Sequence, residues 1–465
     1  MSALAPQRAY LECLHTMPLS RMTRYDRSQA PSVDGNAVVI GGSMAGLCAA
    51  RVLADVFTKV TVFERDTLPV EATVRNGAPQ TGQPHALLEA GRATLEDLFP
   101  GFSDDVQRAG GLELDMTKNI AWYDRGGVVA PSDTPLSALY ASRPLFEQIV
   151  REHVRTNPRI RLRDGCHFLG YTHDPTTSRV TGVTFRNKTG VKKTSQAALT
   201  VDASGRASKT PSWLAANGYP KPDVDQVTID VTYSTVCLSR PSDTHRGVLI
   251  APEPDRPRGA AMLPVENDRW QVLHQGVHGE RAPTERNQFI QWAEDLPIDD
   301  IAVQLRTREW QSDIRRYPFP ASVRRNYHAL DRFPERLVVI GDAVASFNPI
   351  YGQGMSVAAL DALALHHALS NGMSSIGPRV FDRISPVIHE AWRTAVTNDF
   401  IFDRTTGPKP FAADILNRYV SRLVTRAHND GVLTEAFLRV FRLEQPATSL
   451  LHPRILWRTL RPHRS

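Results

Sequence analysis

Residues 38–47, VVIGGSMAGL, join a short apolar run to a turn of small residues. The apolar run is typical of a strand buried on both faces, and the following segment LCAARVLADVF has a helical pattern. A second apolar run at residues 60–63 ends in Glu64. We therefore predict a βαβ unit, the beginning of a parallel sheet.

The turn of this unit resembles the fingerprint that binds dinucleotides. Gly41 permits a tight turn, Ser43 is small enough to let backbone amides approach a pyrophosphate, and Gly46 lets helix and strand pack closely. The N-terminus of the helix favours phosphate charge. Glu64 ends the second strand, where an acid accepts the ribose hydroxyls. The pattern predicts a site for an adenosine diphosphate moiety, with NAD and FAD both open, against the alternative of a plain structural turn.

A second motif, far downstream, favours FAD. Residues 337–340 form another buried apolar run that leads into Gly341-Asp342-Ala343, and NPIYGQGM at residues 348–355 opens a long helix. Asp342 is suited to hold a ribityl chain, and Gly352 and Gly354 let the backbone lie against a flavin ring. The structural alternative for Asp342 is a helix N-cap.

The pattern along the chain divides it into five parts. Residues 1–35 are polar and aperiodic and predict a flexible arm, and residues 36–220 form the first part of the parallel-sheet domain. Alternating apolar residues predict an antiparallel sheet domain at 221–325. Residues 326–380 return to the first domain, and residues 381–465 form a helical region. The expected fold is α/β, α+β overall.

Composition narrows the function. The chain has 465 residues, 41% hydrophobic and 22% charged, which excludes fibrous and wholly disordered classes. The net charge is +6, but the arginines are dispersed and no nucleic-acid motif occurs. The four cysteines lack metal-ligand spacing, so no metal site is expected. The sequence has no apolar run long enough to span a membrane and no signal-peptide core, which predicts a cytoplasmic protein.

The ordered set GGSMAGL, FERD, RNGAPQTGQPHALLEAG, SRPLFE, DASGRASKTPSWL and IGDAVASFNPIYGQGMSVAALDA resembles the FAD-dependent monooxygenases of the para-hydroxybenzoate-hydroxylase fold. It is most similar to the actinobacterial branch that includes polyether epoxidases, and to squalene epoxidases. The resemblance covers about residues 36–380. It implies a discontinuous Rossmann-like FAD-binding domain, an inserted antiparallel-sheet substrate domain and a C-terminal helical region.

The resemblance also assigns roles to individual residues. Arg75 would lie beside the flavin, with Gln80 and His85 near it, and Arg143 would reach the cofactor from its helix. Asp202 and Gly205, in DASGR, match a motif that supports FAD and nicotinamide contact, although the family's usual Asp-Gly is here Asp-Ala-Ser-Gly. The implied cofactor-binding residues are Gly41, Ser43, Met44, Ala45, Gly46, Glu64, Arg65, Arg75, Arg143, Asp202, Gly205, Asp342, Pro349, Gly352, Gly354 and Met355.

The implied activity is insertion of one oxygen atom from O2 through a flavin C4a-hydroperoxide, with NADPH or NADH, or a separate flavin reductase, supplying electrons. On branch resemblance the substrate is a large lipophilic polyene, polyketide or terpenoid, epoxidised or hydroxylated. The inserted sheet is expected to supply the substrate pocket. Its predicted lining residues are Val227, Ile229, Val231, Tyr233, Trp270 and Val272.

Other functions remain open. An aromatic hydroxylase would use a polar residue against a phenol, for which Tyr233 and His274 are candidates. A flavin-dependent isoprenoid reductase shares the fold, and a lipid-binding scaffold without redox turnover is a further alternative. A flavin halogenase is disfavoured because the Trp-x-Trp-x-Ile-Pro signature is missing.

The C-terminal segment LLHPRILWRTLRPHRS combines apolar side chains with arginines. Such a segment is suited to lie on an anionic membrane surface and collect a lipophilic substrate. The alternative is an ordinary closing helix packed on the core.

Overall fold

Strands and helices alternate through the first part of the chain, as the βαβ pattern predicts. The computed structural model describes residues 18–75 and 77–462. The strands are β1 (Val33–Ile40), β2 (Phe57–Phe63), β3 (Ala86–Leu87), β4 (Leu112–Asp115), β5 (Ile120–Asp124), β6 (Gly127–Val128), β7 (Ser137–Tyr140), β8 (Ile160–Arg163), β9 (His167–Asp174), β10 (Arg179–Arg186), β11 (Lys192–Gln196), β12 (Leu199–Asp202), β13 (Val224–Ser239), β14 (Gly247–Ile250), β15 (Arg258–Val265), β16 (Arg269–Val277), β17 (Arg315–Arg325), β18 (Leu337–Val339) and β19 (Ala345–Ser346). The α-helices are α1 (Met44–Val56), α2 (Glu89–Leu98), α3 (Phe102–Arg108), α4 (Arg143–Thr156), α5 (Thr210–Ala216), α6 (Arg286–Glu294), α7 (Asp300–Thr307), α8 (Gly354–Leu369), α9 (Ile376–Asp399), α10 (Ala413–Ala427), α11 (Gly431–Phe441) and α12 (Pro453–Leu460).

A parallel sheet carries the two predicted motifs after the carboxyl ends of β1 and β18, with β12 between these two strands. Its order is β18-β12-β1-β2-β8, and every pairing is parallel. Helices α1 and α8 pack together against it in one hydrophobic core. Because β18 comes from the return segment, the domain is discontinuous, and the predicted fold class is confirmed. Two smaller three-stranded sheets, β11-β10-β9 and β3-β7-β4, stand beside the parallel sheet.

The inserted, mainly antiparallel sheet is larger than the sequence predicts. It has eight strands in the order β19-β17-β13-β16-β15-β14-β5-β6. Strands β5, β6 and β19 lie outside the predicted 221–325 segment, and β5 joins in parallel with β14. These strands are two to five residues long, too short for an alternating pattern to reveal them.

Helices α6 and α7 cover one face of the eight-stranded sheet. Trp270 and Val272 of β16 pack there with Phe289 and Trp292 of α6. The other face carries a separate apolar cluster that includes Tyr233. The sheet therefore has one face covered by α6 and α7 and an open face that these helices do not cover.

The predicted N-terminal arm is wrong for its described part. The Leu19 amide donates to the Leu443 carbonyl at 3.0 Å, and Arg24 pairs with Asp97 at 2.6 Å. Tyr25 donates to Asp55, and β1 begins at Val33 rather than after residue 35. These contacts are long-range, so local sequence carries no sign of them. Residues 1–17 lie outside the described residues.

The C-terminal region is helical, as predicted. Helix α9 crosses the expected boundary at residue 380 and continues through Pro386, while α10, α11 and α12 form a second apolar cluster with β5 and β7. In the described part of the chain, no helix is long and apolar enough to cross a membrane. Residues 463–465, the end of the predicted membrane segment, lie outside the description.

Candidate active site

One large cavity runs from the carboxyl ends of the parallel strands to the open face of the eight-stranded sheet and the C-terminal helices. Its volume is about 1150 Å³, above the roughly 300–1,000 Å³ typical of single-ligand pockets. Its walls include Gly41, Glu64 and Asp342 at one end and Leu263 and Phe437 at the other. The cavity therefore has a dinucleotide end and an apolar end.

The turn between β1 and α1 depends on two glycines. Gly41 has a φ of +104°, and a Cβ there would lie 2.3 Å from the Ala203 carbonyl oxygen. A Cβ on Gly46 would lie 1.9 Å from the Gly41 oxygen. Gly41 lines the cavity, whereas Gly46 does not. Gly46 therefore allows α1 to pack closely on the end of β1 and does not contact a ligand. Ser43, Met44 and Ala45 line the cavity where α1 begins.

Glu64 shapes the adjacent wall. Its Oε2 accepts from the Gly42 amide at 2.7 Å and its Oε1 accepts from the Asp66 amide at 2.9 Å. Each carboxylate oxygen keeps a second lone pair, so the side chain can still accept hydroxyl groups. Arg65 lines the cavity beside it and donates to the Gly77 carbonyl at 3.1 Å.

A buried carboxylate that the sequence did not reveal, Glu147, organises the arginines behind the turn. Arg75 pairs with Glu147, while Arg143 and Arg151 lie 3.9 and 3.8 Å from it. The Ser43 hydroxyl also donates to Glu147, at 2.7 Å. The Ser43 hydroxyl is therefore held by a side chain of α4 beside the turn.

Arg143 lines the cavity. Its Nε is buried without a hydrogen-bond partner. Burial lowers the pKa of Arg143, and the carboxylates of Glu147 and Asp342 oppose that shift. An anionic ligand would satisfy the free donor, because guanidinium groups bind phosphate oxygens well.

Asp342 lies beyond the end of β18 and faces the cavity. The turn that holds it is fixed by Asp361, whose Oδ2 accepts from the Gly341 amide at 2.8 Å. Burial raises the pKa of Asp342. The positive charges of Arg143, Arg206 and Arg325 oppose that shift.

The NPIYGQGM motif forms the floor between the two ends of the cavity. Asn348 caps a short 3₁₀ turn, Gly352 has a φ of +63°, and α8 begins at Gly354. The predicted residues Pro349, Gly352, Gly354 and Met355 all line the cavity.

Asp202 is placed differently from the prediction. It accepts from the Ser204 amide at 2.9 Å, from the Ser208 hydroxyl at 2.6 Å and from the Thr210 hydroxyl at 2.5 Å. It is 1% exposed and does not line the cavity. Its hydrogen bonds are used to hold the turn after β12, whereas Gly205 in that turn does line the cavity.

His85 and Gln80 lie in the cavity wall. The Nδ1 of His85 is 2.7 Å from the Gln83 carbonyl oxygen. Burial lowers the pKa of His85 to about 3, and the Arg143 charge adds to the shift. The ring is therefore neutral near pH 7 and is not a proton donor there.

Two of the six predicted pocket residues of the sheet line the cavity and four do not. Ile229 and Tyr233 line the cavity. The structure corrects the prediction for four others, which are buried away from the cavity: Val227, Val231, Trp270 and Val272. On β16 the odd positions Leu273, Gln275 and Val277 face the cavity, because the even ones meet α6 and α7. On β13 a bulge at residues 229–230 changes the alternation.

A polar network in the cavity wall was missed by sequence reasoning. Asp399 Oδ1 accepts from Asn348 Nδ2 and from the Tyr351 hydroxyl, both at 2.9 Å, and its Oδ2 is unpartnered. The Tyr233 hydroxyl donates to Asn348 Oδ1 at 2.9 Å. Burial raises the pKa of Asp399 to about 7, while the Asn348 and Tyr351 hydrogen bonds lower it. No local pattern marks this aspartate, which ends an ordinary amphipathic helix.

The comparisons with known proteins agree with this architecture. A model of the FAD binding domain family matches residues 34–385, and the chain belongs to that family. It is 31% identical over 437 residues to "Protein Rv3254" of Mycobacterium tuberculosis, covering 88% of this chain and 89% of that protein.

Solved structures share the fold. The p-nitrophenol 4-monooxygenase PnpA from Pseudomonas putida DLL-E4 matches with a TM-score of 0.64 at 17% identity, over 89% of this chain and 99% of its own. The flavin-dependent brominase Bmp2 matches with a TM-score of 0.61 at 15% identity, over 88% of this chain and 94% of its own. At such identities the likeness defines the fold and leaves the reaction open.

The residues present fit FAD. The start of α1 offers amides for a pyrophosphate, and the orphaned Arg143 Nε offers a charged donor. Glu64 retains acceptors for a ribose, and Asp342 faces the cavity between it and the NPIYGQGM floor. These groups follow one wall of a single chamber, as an extended cofactor requires.

Proposed function

We propose that this protein is an FAD-dependent monooxygenase that inserts one oxygen atom from O2 into a large lipophilic substrate, by epoxidation or hydroxylation. Bound FAD supplies the two-electron chemistry that activates oxygen. The observation that carries the proposal is the continuity of the cavity, which joins the dinucleotide end to an apolar end.

The apolar end supports a bulky substrate. Its wall draws on the open face of the eight-stranded sheet and on α10 and α11, with Leu249, Leu263, Phe319, Val420 and Phe437 among its residues. Such a surface binds hydrocarbon by removing it from water and keeps water away from the reacting atoms. A polyene, polyketide or terpenoid is the substrate class we propose, with NADPH or NADH, or a separate reductase, as electron source.

An aromatic hydroxylase is the second candidate, and the Asp399 network is the observation that favours it. Tyr233 and Tyr351 both line the cavity. The Tyr351 hydroxyl donates to Asp399, and the Tyr233 hydroxyl donates to Asn348, whose amide in turn donates to Asp399. A phenolic substrate would find polar partners there. His274, the other sequence candidate, is buried on the α6 side and bonds the Phe289 carbonyl at 2.9 Å.

The test begins with the absorption spectrum of the purified protein, followed by anaerobic titration with NADPH. We expect a bound flavin that NADPH or an added reductase bleaches, and one atom of ¹⁸O from ¹⁸O2 in products from a polyene or phenolic library. A protein that takes up no flavin after reconstitution, or a saturated product without ¹⁸O, would replace this proposal with the binding scaffold or the reductase.

A further inference from the structure

Large exposed apolar side chains are concentrated on the C-terminal helices. Among the described residues, every exposed Phe, Ile or Trp lies between residues 411 and 460, whereas the exposed apolar residues elsewhere are six valines and Leu169. Scattered valines are ordinary on a soluble surface, but a group of large side chains marks an interaction site. This group, the C-terminal apolar face, consists of Phe411, Ile415, Leu451, Trp457 and Leu460, each between 50% and 75% exposed.

Four of the five members of this face lie on packed helices, and Phe411 lies in the turn just before α10. Arg422 of α10 donates from Nε to the Thr459 carbonyl at 2.9 Å and from Nη2 to the Leu460 carbonyl at 3.0 Å. The Tyr419 hydroxyl of α10 donates to the Leu450 carbonyl at 2.6 Å. On α12, Ile455 and Thr459 are buried, so Trp457 and Leu460 point outward. The exposed face is therefore fixed by the fold and is not a frayed end.

The same elements form a wall of the cavity. Leu416 and Val420 of α10, and Leu450 and Leu451 of the 3₁₀ helix Ala447–Leu451, line it. Leu451 is half exposed and also lines the cavity. The C-terminal apolar face and the wall of the cavity thus meet at Leu451.

The charge around the face is positive. Between residues 409 and 462 the chain has nine Lys or Arg and four Asp or Glu, and no acid follows Glu444. Arg458 and Arg461 share Asp430, while Arg418 and Arg454 are exposed beside the apolar residues. An apolar surface bordered by arginines complements an anionic lipid surface, where aromatic and aliphatic side chains enter the interface and basic ones meet head groups.

We propose that the C-terminal apolar face docks on an anionic lipid bilayer and brings the mouth of the cavity to the membrane surface. A lipophilic molecule then passes from the bilayer to the apolar end without crossing water. The docking follows from the surface alone, and only this passage of substrate rests on the proposed function.

The test is cosedimentation of the full-length, FAD-loaded protein with vesicles of equal parts phosphatidylcholine and phosphatidylglycerol, compared with phosphatidylcholine alone. We expect binding to the anionic vesicles that weakens in high salt. The variant Trp457→Ser with Leu460→Ser should lower the partition coefficient about tenfold or more. Deleting residues 450–465 is a poorer test, because Leu450 and Ile455 are buried.

The matched control is Val191→Ser with Val224→Ser, two apolar residues of similar exposure that lie in the turn before β11 and at the start of β13, and this variant should bind as the parent does. Equal binding by both double variants, or no binding by the parent, would overturn the proposal. If the parent forms a dimer and does not bind vesicles, and the double variant Trp457→Ser with Leu460→Ser is a monomer, the face binds a second copy of the chain instead. Oxygen insertion into detergent-solubilised substrate, measured in parallel, separates failure of docking from failure of the proposed function.

Discussion

Glu147 is the residue on which the arginines behind the dinucleotide turn depend. Arg75, Arg143 and Arg151 surround it, and its exposure is close to zero. Removing one member of a buried charge cluster leaves the others uncompensated, which costs more than the cluster itself contributes. Removing the Glu147 carboxylate should therefore cost more stability than the intact cluster contributes.

We predict that Glu147→Gln lowers the free energy of unfolding by about 3–5 kcal/mol, because buried guanidinium groups lose their counter-charge. Urea denaturation measures this. Glu435→Gln, at the partly exposed Arg439–Glu435 pair, should cost less than about 1 kcal/mol. Similar costs for the two variants would show that Glu147 does not hold the cluster.

Asp399 makes stability depend on pH. Burial raises its pKa to about 7, above the unfolded value of about 3.9. The folded state therefore holds the proton more tightly, and stability is lost as pH rises from about 4 to about 7. Asp361, whose pKa burial also raises to about 7, adds a slope of the same sign.

We expect Asp399→Asn to reduce the fall in unfolding free energy between pH 5 and pH 8 by about 1–3 kcal/mol, since it removes one of these titrations. Urea titrations of both proteins at the two pH values measure the difference, and Asp361 contributes equally to each. Asp403→Asn, at an exposed position four residues on, is the control and should keep the parent slope. An unchanged slope in Asp399→Asn would contradict the assignment.

At the scale of elements, the glycines of the two motifs differ in what they do. Gly46 of α1 is in contact with the backbone of Gly41, where no Cβ fits. Gly354, the first residue of α8, has open space at its Cβ position and lines the cavity. One glycine serves the fold and the other serves whatever occupies the cavity.

We predict that Gly354→Ala folds with unchanged or slightly raised stability, because alanine suits a helix better than glycine, yet binds FAD about tenfold more weakly if the flavin ring lies against this backbone. Gly46→Ala should lose both stability and cofactor. Thermal unfolding and fluorimetric FAD titration separate the two effects. Full FAD affinity in Gly354→Ala would remove this residue from the cofactor site.

The elements also show what the sequence can and cannot predict. The motif turns were predictable because tight turns and helix starts place local demands on residues such as Gly41 and Asp342. The alternation on β16 predicted two faces but not which one lines the cavity. That depends on α6 and α7, which are distant in sequence and cover the other face. Asp399 and Glu147 were missed because each meets a partner from a distant segment, Asn348 for Asp399 and Arg75 for Glu147.

At the scale of the whole molecule, the cavity is assembled from residues between Ile40 and Leu451. The parallel sheet supplies the dinucleotide end, while α10 and α11 complete the apolar end. The helical C-terminal region is therefore part of the cavity wall and not an appendage. On the proposed function, this arrangement would separate cofactor binding from the choice of substrate size.

Filling the apolar end should therefore restrict substrates without disturbing the cofactor. Val420 lies in the wall on α10, so Val420→Trp should leave FAD affinity unchanged but weaken binding of a long isoprenoid alcohol by about tenfold, through lost cavity volume, while a short one binds as before. Ala45→Leu, at the start of α1 in the same cavity, should weaken FAD binding and leave binding of the long alcohol unchanged. Ligand-induced changes in the flavin spectrum, measured without reductant, give both affinities. If Val420→Trp weakens FAD binding, or leaves binding of the long alcohol unchanged, the two ends of the cavity do not bind cofactor and substrate separately.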